Sequence, residues 1–239
     1  MAFSLVITGH FSNLIVFTSI IIIHELGHVI SSIIFKYKID KIIIYPYGGL
    51  TKINKKINTN INKDIIVAIS GILFQTLYFI IILFLYKNNM IREYIYNMFY
   101  LYHKSMLIFN ILPIIPLDGS KVINLILSKY LNFNLANKLT IVVSFITIII
   151  FLFSNMYDKN YSIIMIIGVL LNNIYKFYKE LSLIYNKFLL ERYLYSFNYS
   201  KYKIINNKER MYKNKFHYFN INNKLIEEKD YLKKIFQKK

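Results

Sequence analysis

Long apolar runs, separated by short polar segments, fill most of the chain up to residue 175. Runs with few or no charges occupy residues 11–35, 64–86, 94–117, 139–154 and 161–175. A helix needs roughly 20 apolar residues, within a range of about 17–25, to cross the hydrocarbon core of a membrane. The first three runs reach that length and the last two come close to it. The pattern predicts an all-α polytopic membrane protein with five to six transmembrane helices, rather than a soluble all-helical protein.

Two regions depart from this pattern. Residues 41–53 are rich in β-branched side chains, contain Gly48 and Gly49, and are too short to cross a membrane. They predict a short β-hairpin at the membrane surface, with an ordinary connecting hairpin as the alternative. Residues 179–239 are basic and polar, with a weak strand–turn–helix pattern at 216–236. We therefore expect a transmembrane core over residues 1–178 and a small cytoplasmic tail over residues 179–239.

The distribution of lysine and arginine indicates the orientation. The loop 36–63 carries seven lysines, whereas the loop 87–93 carries only Lys87 and Arg92, and the tail is densely basic. Loops rich in Lys and Arg remain on the cytoplasmic side of a membrane. We therefore expect the loop 36–63 and the C-terminus to lie in the cytoplasm.

Composition limits the classes of partner and site. The chain is 56% hydrophobic, with a mean hydropathy of +0.40 and a formal net charge of +18. A basic chain can bind nucleic acid. Here Ile, Asn, Lys and Tyr are all abundant, as an AT-rich genome produces, so we expect membrane lipid as the partner and no nucleic acid. The absence of cysteine excludes disulfides and thiolate metal ligands.

The first apolar run contains the sequence HELGH, with His24, Glu25 and His28. Charged side chains inside a membrane helix are costly unless they are paired, so they mark a candidate functional site. Residues four apart share one face of a helix. The HExxH spacing lets two imidazoles bind one Zn²⁺ while the glutamate exchanges a proton with water. A chance occurrence of this short motif is the alternative.

A catalytic zinc needs a third protein ligand. His10 lies 14 residues before the first motif histidine, roughly 21 Å along a helix, and is out of reach. His103 should sit in the outer half of its span in a structural role, and His217 lies in the polar tail. Asp118, at the end of the run 94–117, is the best candidate. Its alternative role is to cap the helix that begins near Gly119.

Two of the three prolines, Pro113 and Pro116, lie just before this aspartate. Proline interrupts the hydrogen-bond ladder of a helix. Non-helical backbone at membrane depth is tolerated where it lines a cavity or is buried in protein. The segment therefore predicts a broken helix beside the metal site, and Asn110 can donate a hydrogen bond into that site.

Together, HELGH, YPYGG (45–49), SGILFQ (70–75) and NILPIIPLDG (110–119) resemble the site-2 protease family of intramembrane zinc metalloproteases. Within that family, the order and spacing are similar to the branch that processes pro-sigma factors during bacterial sporulation, as is KFLLERYL (187–194). The resemblance covers residues 5 to 195. It implies a six-helix membrane fold, located in a bacterial inner membrane, with one zinc site inside the bilayer.

The resemblance also implies roles for particular residues. His24, His28 and Asp118 match the metal ligands, and Glu25 matches the catalytic glutamate. Support for the substrate and the oxyanion is expected from a second set: Asn110, Pro113, Pro116, Gly48 and Gly49. The implied partners are a membrane-tethered protein substrate, in this branch a pro-sigma factor, and inhibitory membrane proteins.

The chain departs from the family pattern at three places. The family usually has a complete helix before HELGH, whereas this sequence starts partway through one; we expect either that the true start lies upstream or that the first helix is absent. Ser70–Gly71–Ile72 replaces the Gly–Pro of the family's third helix. The tail is too short for a paired nucleotide-sensing CBS module and is at most a remnant of one.

Three alternative functions follow from the same residues. The first is a protease of another regulatory branch, which cuts an anti-sigma factor or a signal-peptide remnant. The second is a metal or ion transporter, which would need polar residues along successive helices; the runs 64–86 and 139–154 supply almost none. The third is an inactive family member that only binds its partner, against which the intact Glu25 argues.

Overall fold

A computed structural model describes residues 11–45, 48–154, 161–221 and 224–237. His10 lies outside the described residues, as do Pro46 and Tyr47 of the YPYGG segment. The described helices and strands are α1 Phe11–Ile34, β1 Lys38–Tyr45, β2 Gly48–Asn54, α2 Ile61–Lys87, α3 Glu93–Ile111, α4 Asp118–Tyr130, α5 Phe133–Ser154, α6 Tyr161–Leu194, β3 Tyr202–Ile205, β4 Phe216–Ile221, β5 Lys224–Glu227 and α7 Glu228–Gln237.

The prediction of a mainly helical membrane fold is confirmed, with helices in all five apolar runs. Among the described residues, α1, α2 and α5 are long and apolar enough to cross a membrane. Helices α3 and α6 are not in that set, so length and composition support three of the five to six predicted spans. Helix α6 continues from the apolar run to Leu194 without a break at residue 178.

The chain divides into two compact units. The first comprises the described residues up to Lys55 together with Ile65–Ile111, and the second comprises Lys56–Asp64 together with the described residues from Leu112 onward. The core of the first unit joins three helices. Its buried side chains are Val16 and Ile20 of α1, Ile82 of α2, and Met98 and Phe99 of α3.

The predicted hairpin is present in the first unit. Strands β1 and β2 pair antiparallel, with Ile42 opposite Thr51 and Ile44 opposite Gly49. Both strands contact α1. The hairpin is therefore held against the helix that carries the HELGH motif.

The predicted helix break at the prolines is confirmed in the second unit. Helix α3 ends at Ile111, α4 begins at Asp118, and the intervening residues are not helical. Ser144 of α5 satisfies part of this backbone, since its hydroxyl lies 3.0 Å from the Pro113 carbonyl oxygen and accepts the Ile115 N–H at 3.2 Å. Ile114 and Ile115 of this segment are buried, so the centre of the non-helical backbone is packed against protein, as a membrane protein requires.

The tail region of the second unit has its own small core. Strand β4 pairs parallel to β3 and antiparallel to β5. The buried side chains of this core come from α5, α6, β3, β4, the connection between those strands, and α7. They are Phe133, Phe188, Leu189, Ile205, Met211, Phe219 and Leu232. The strand–turn–helix pattern predicted at 216–236 is present, while the pattern did not predict β3.

Candidate active site

The three polar residues of the HELGH motif lie on one turn of α1 in the first unit. His24 is 2% exposed, Glu25 5% and His28 6%. A polar group buried at this depth is costly unless other groups pair with it. The contacts of these side chains therefore decide whether the motif is a site or a chance occurrence.

Both imidazole rings are oriented by an oxygen acceptor. The Nδ1 atom of His24 lies 3.2 Å from Oε1 of Gln75, and Nδ1 of His28 lies 2.8 Å from the carbonyl oxygen of Val67. A carbonyl oxygen can only accept, so each Nδ1 carries the hydrogen and each Nε2 carries a lone pair. The two Nε2 atoms lie 3.3 Å apart. Two lone pairs thus converge at one point.

This geometry fits a metal ion. A tetrahedral Zn²⁺ with Zn–N bonds of about 2.0–2.1 Å separates two nitrogen ligands by about 3.3 Å. A hydrogen bond from the second ring nitrogen to an oxygen is the usual outer contact of a zinc-binding histidine. The structure shows both features, the spacing of the two Nε2 atoms and the oxygen contact of each Nδ1 atom.

Gly71 of α2 leaves space beside the two rings. A β-carbon at this position would lie 2.8 Å from Nε2 of His24 and still closer to Nε2 of His28. Real β-carbons do not approach other atoms this closely, so only glycine leaves the site open. The departure from the family pattern at 70–72 therefore retains the glycine that the site needs.

Helices α1 and α2 pack closely beside the two imidazole rings. A β-carbon at Gly27 would lie 2.5 Å from the carbonyl oxygen of Ser70. The hydroxyls of Ser31 and Ser70 are 2.8 Å apart and hydrogen-bonded. Small residues at these positions allow the close backbone approach that membrane helices use for packing.

Gln75 connects the site to α3. Its Nε2 donates to the carbonyl oxygen of His103 at 3.0 Å, which fixes the amide so that Oε1 faces His24. The His103 ring stacks on Phe79 with centroids 4.4 Å apart. His103 is therefore a buried packing residue that anchors the partner of a candidate ligand.

Glu25 has a hydrogen-bond partner on the hairpin. The Thr51 hydroxyl donates to Oε2 of Glu25 at 2.5 Å. Sequence patterns predict no role for Gln75, Thr51 or Gly71. Each is far from HELGH in the chain, and the segment SGILFQ contains two of them without indicating what they contact.

Asp118 belongs to the second unit. It is buried, and Oδ1 accepts a hydrogen bond from Lys121 at 2.8 Å. The residue is the first of α4 and Leu117 occupies the N-cap position, with no side-chain cap. The alternative that Asp118 caps this helix is therefore wrong. A carboxylate in the first turn is nevertheless favourable at the positive end of the helix dipole.

The other residues predicted to support the substrate and the oxyanion lie in the following elements. Asn110 is half-buried in the last turn of α3 in the first unit, while Pro113 and Pro116 form the non-helical segment of the second unit. Gly48 and Gly49 begin strand β2. Their predicted roles toward substrate and oxyanion stay predictions.

Comparison with known proteins identifies related sequences and a related structure. Residues 12–91 match the model of a family described as Peptidase family M50. Stage IV sporulation protein FB of Bacillus subtilis (strain 168) is 32% identical over 135 residues, which are 56% of this chain and 47% of that protein. The chain thus spans about half the length of this curated relative.

Among solved structures, the Site-2 Protease from Methanocaldococcus jannaschii matches with a TM-score of 0.54 and 24% identity. The match covers 69% of this chain and 76% of the solved chain. At this identity the similarity shows the fold, and the fold is that of a site-2 protease.

Proposed function

We propose that this chain is a zinc metalloprotease of the site-2 protease family of intramembrane M50 peptidases, and that it hydrolyses a peptide bond near the cytoplasmic membrane face. One observation carries the proposal. Two buried imidazoles on a helix of membrane-spanning length direct their Nε2 lone pairs together at 3.3 Å, with a buried glutamate on the same turn. Ionisable side chains are costly in an apolar helix, and a bound cation would offset that cost.

The proposed ligands are His24, His28 and Asp118, with one Zn²⁺ per chain. All three are buried, and two imidazoles with one carboxylate are a compatible donor set for this ion. Zinc, when bound, would act as a Lewis acid and lower the pKa of a water molecule in the open coordination position.

Residues of the chain would supply proton transfer, oxyanion stabilisation and substrate binding. Glu25 would take the proton from the attacking water and deliver it to the leaving amide nitrogen. Asn110 would donate a hydrogen bond to the oxyanion, where such donors act most strongly. The segment with Pro113 and Pro116 would supply free backbone groups, and Gly48 and Gly49 would allow close approach of an extended substrate.

The proposed substrate is a protein held at the membrane. Strands β1 and β2 form a two-stranded sheet, and among the described residues no third strand pairs with its outer edges, which suits β-strand addition by an extended segment. We propose a pro-sigma factor of sporulation, because the curated relative is named a sporulation protein. An anti-sigma factor or a signal-peptide remnant would identify another regulatory branch.

The apolar helices and the basic segments together indicate where the chain lies in the cell. Apolar helices make the chain an integral membrane protein. The basic loop 36–63 and the basic tail support a cytoplasmic C-terminus in a bacterial inner membrane. Anionic lipid is an expected partner, and inhibitory membrane proteins would act on the same face.

The test separates metal binding from catalysis. The full chain is co-expressed with the pro-sigma factor of its own genome, and the N-terminus of the product is sequenced by mass spectrometry. The purified chain is assayed for bound zinc. Glu25→Gln should retain one zinc per chain and lose cleavage by a factor of about 10² or more, because a general base contributes roughly 10²–10⁴-fold.

Asp118→Ala is the companion variant and should lose zinc. Full zinc affinity in Asp118→Ala would show that the third ligand is a different residue. Near-normal cleavage by Glu25→Gln would contradict the protease assignment altogether. Efficient cutting of a signal-peptide remnant beside an intact pro-sigma factor would move the chain to another branch.

A further inference from the structure

The contact between Thr51 and Glu25 joins the hairpin to the proposed general base. Residue 51 lies in strand β2 and residue 25 in helix α1, and 26 positions separate them in sequence. The hydroxyl oxygen is 2.5 Å from Oε2. This is the distance typical of a hydroxyl that donates to an ionised carboxylate, a bond stronger than one between neutral groups.

Threonines within the described helices behave differently. Thr18, Thr140 and Thr147 lie in helices, and each hydroxyl donates to a carbonyl oxygen four residues earlier. A strand offers no such local acceptor, so the Thr51 hydroxyl is available for a contact outside its own element. Its partner is the carboxylate of the catalytic motif.

A carboxylate that serves as a general base must be held in position while one oxygen remains available for the proton. Glu25 is 5% exposed, so water does little to orient it. Among the described side chains, Thr51 is its hydrogen-bond partner. The hydroxyl occupies Oε2 and leaves Oε1 to accept the proton.

We propose that Thr51 is a positioning residue for Glu25 and that the hairpin thereby controls the orientation of the general base. The inference deepens the proposed protease function and rests on it. Thr51 pairs with Ile42 in the hairpin ladder, so its position depends on the pairing of β1 with β2. A segment that pairs with or displaces the hairpin would act on Glu25 through this hydroxyl.

The experiment compares four forms of the full chain in zinc-loaded lipid nanodiscs: wild type, Thr51→Val, Thr51→Ser and Thr147→Val. Valine has the shape of threonine without the hydroxyl, and serine restores the hydroxyl without the methyl group. Thr147→Val is the matched control, because its hydroxyl donates to Val143 of its own helix. The probe is a pro-sigma factor fused to a fluorescent protein and reconstituted in the same discs.

Thr51→Val should lower kcat about tenfold or more, since a hydrogen bond to a charged group contributes at least that factor. KM and bound zinc should be unchanged, and Thr51→Ser and Thr147→Val should match wild type. A wild-type kcat in Thr51→Val would overturn the inference. Loss of zinc in that variant, or equal impairment in Thr51→Ser, would also overturn it by showing a packing role.

A spectroscopic measurement separates this inference from the protease assignment. Subtracting the infrared spectrum of Glu25→Gln from that of wild type isolates the carboxylate bands of Glu25. Thr51→Val should shift those bands and Thr51→Ser should not, whether or not any substrate is cut. An unshifted band in Thr51→Val would refute the contact itself, whereas absent cleavage in wild type with a shifted band would refute only the proposed function.

Discussion

Two clusters of buried polar side chains, one in each unit, differ in the direction in which their imidazole nitrogens point. The first is the HELGH cluster of α1. The second, the tail network, consists of Arg192, His217, Glu228, Asn58 and Glu191. The comparison distinguishes a polar cluster that can bind a ligand from one that stabilises a fold.

Arg192 is the centre of the tail network and is fully buried. Its Nη1 donates to both carboxylate oxygens of Glu228 at 2.9 and 3.0 Å, and its Nε donates to Oδ1 of Asn58 at 2.8 Å. Its Nη2 donates to the carbonyl oxygens of Tyr212 and Lys213. Every nitrogen of the guanidinium group has an acceptor, and the charge is balanced.

The other members of the tail network are equally occupied. Glu191 accepts from the backbone N–H groups of Ile57 and Asn58. Nδ1 of His217 bonds to Oε2 of Glu228 at 2.9 Å, and Nε2 accepts from the Tyr212 N–H at 2.9 Å. His217 is the one imidazole of this network, and both of its ring nitrogens are engaged, so the network lacks the paired imidazole lone pairs of the HELGH cluster.

The HELGH cluster is built in the opposite way. Its Nδ1 atoms are engaged by Gln75 and Val67, but its two Nε2 lone pairs face each other beside the space at Gly71. Convergent acceptors in an apolar helix favour a bound cation. Both clusters bury polar groups. The direction of their lone pairs distinguishes the cluster that can bind a ligand from the one that stabilises the fold.

The largest effect on stability is expected from a substitution that breaks the tail network. Arg192→Met should cost about 3–5 kcal/mol of stability, because it leaves the buried Glu228 charge without its partner. Urea unfolding of the full chain in detergent, followed by hydrogen exchange of the tail sheet, measures the loss. Zinc per folded chain should not change, since no proposed ligand belongs to the network.

Two further variants sharpen that measurement. Arg210 is exposed, so Arg210→Met is the matched control and should alter stability little. The double variant Arg192→Met with Glu228→Leu removes both charges and should recover part of the lost stability. Unchanged stability in Arg192→Met alone would contradict the structural role of the network.

A smaller effect is expected from weakening the outer contact of the HELGH cluster. Gln75→Leu removes the acceptor that orients the His24 ring and should reduce zinc affinity about 10- to 100-fold, or about 1.4–2.7 kcal/mol. Competition with a zinc chelator measures it. Thr76→Val is the neighbouring control, because that hydroxyl only bonds the Ile72 carbonyl of its own helix. Equal zinc affinity in Gln75→Leu and wild type would show that Gln75 does not orient the ligand.

The smallest expected effect is the pH dependence of the tail. Burial lowers the pKa of His217 and outweighs the hydrogen bond to Glu228, which would raise it. For Glu228, burial opposes ionisation, but the hydrogen bond from His217 and the charge of Arg192 outweigh it, and the pKa is lowered. The Tyr212 N–H donating to Nε2 agrees with a neutral His217.

A group whose pKa is lower in the folded state binds its proton later than the unfolded chain does as the pH falls. The stability that it contributes is therefore present above the ordinary pKa, 6.5 for His217 and 4.5 for Glu228, and is lost as the pH falls through the lowered value. Hydrogen-exchange protection of the tail should decrease from pH 7 toward pH 4. His217→Gln should remove the part of the decrease that begins below pH 6.5. Constant protection between pH 7 and pH 4 would contradict both shifts.

Much of the fold follows from local pattern. Apolar run length predicted α1, α2 and α5, and β-branched residues with glycines predicted the β1–β2 hairpin. The prolines predicted the end of α3 before Asp118, because proline cannot continue the hydrogen-bond ladder. The pattern missed strand β3, whose four residues are too few for a recognisable alternation.

Within the candidate site, the sequence by itself determined the shared face of His24 and His28, because helical periodicity brings residues four apart together. It also supplied a donor set that suits zinc. Only the tertiary structure decided that Gln75 and Val67 orient the rings, that Gly71 keeps the site open and that Thr51 holds Glu25. These are contacts between elements distant in the chain. No periodic pattern of residues predicts these contacts, because they form only when helices and strands pack against one another.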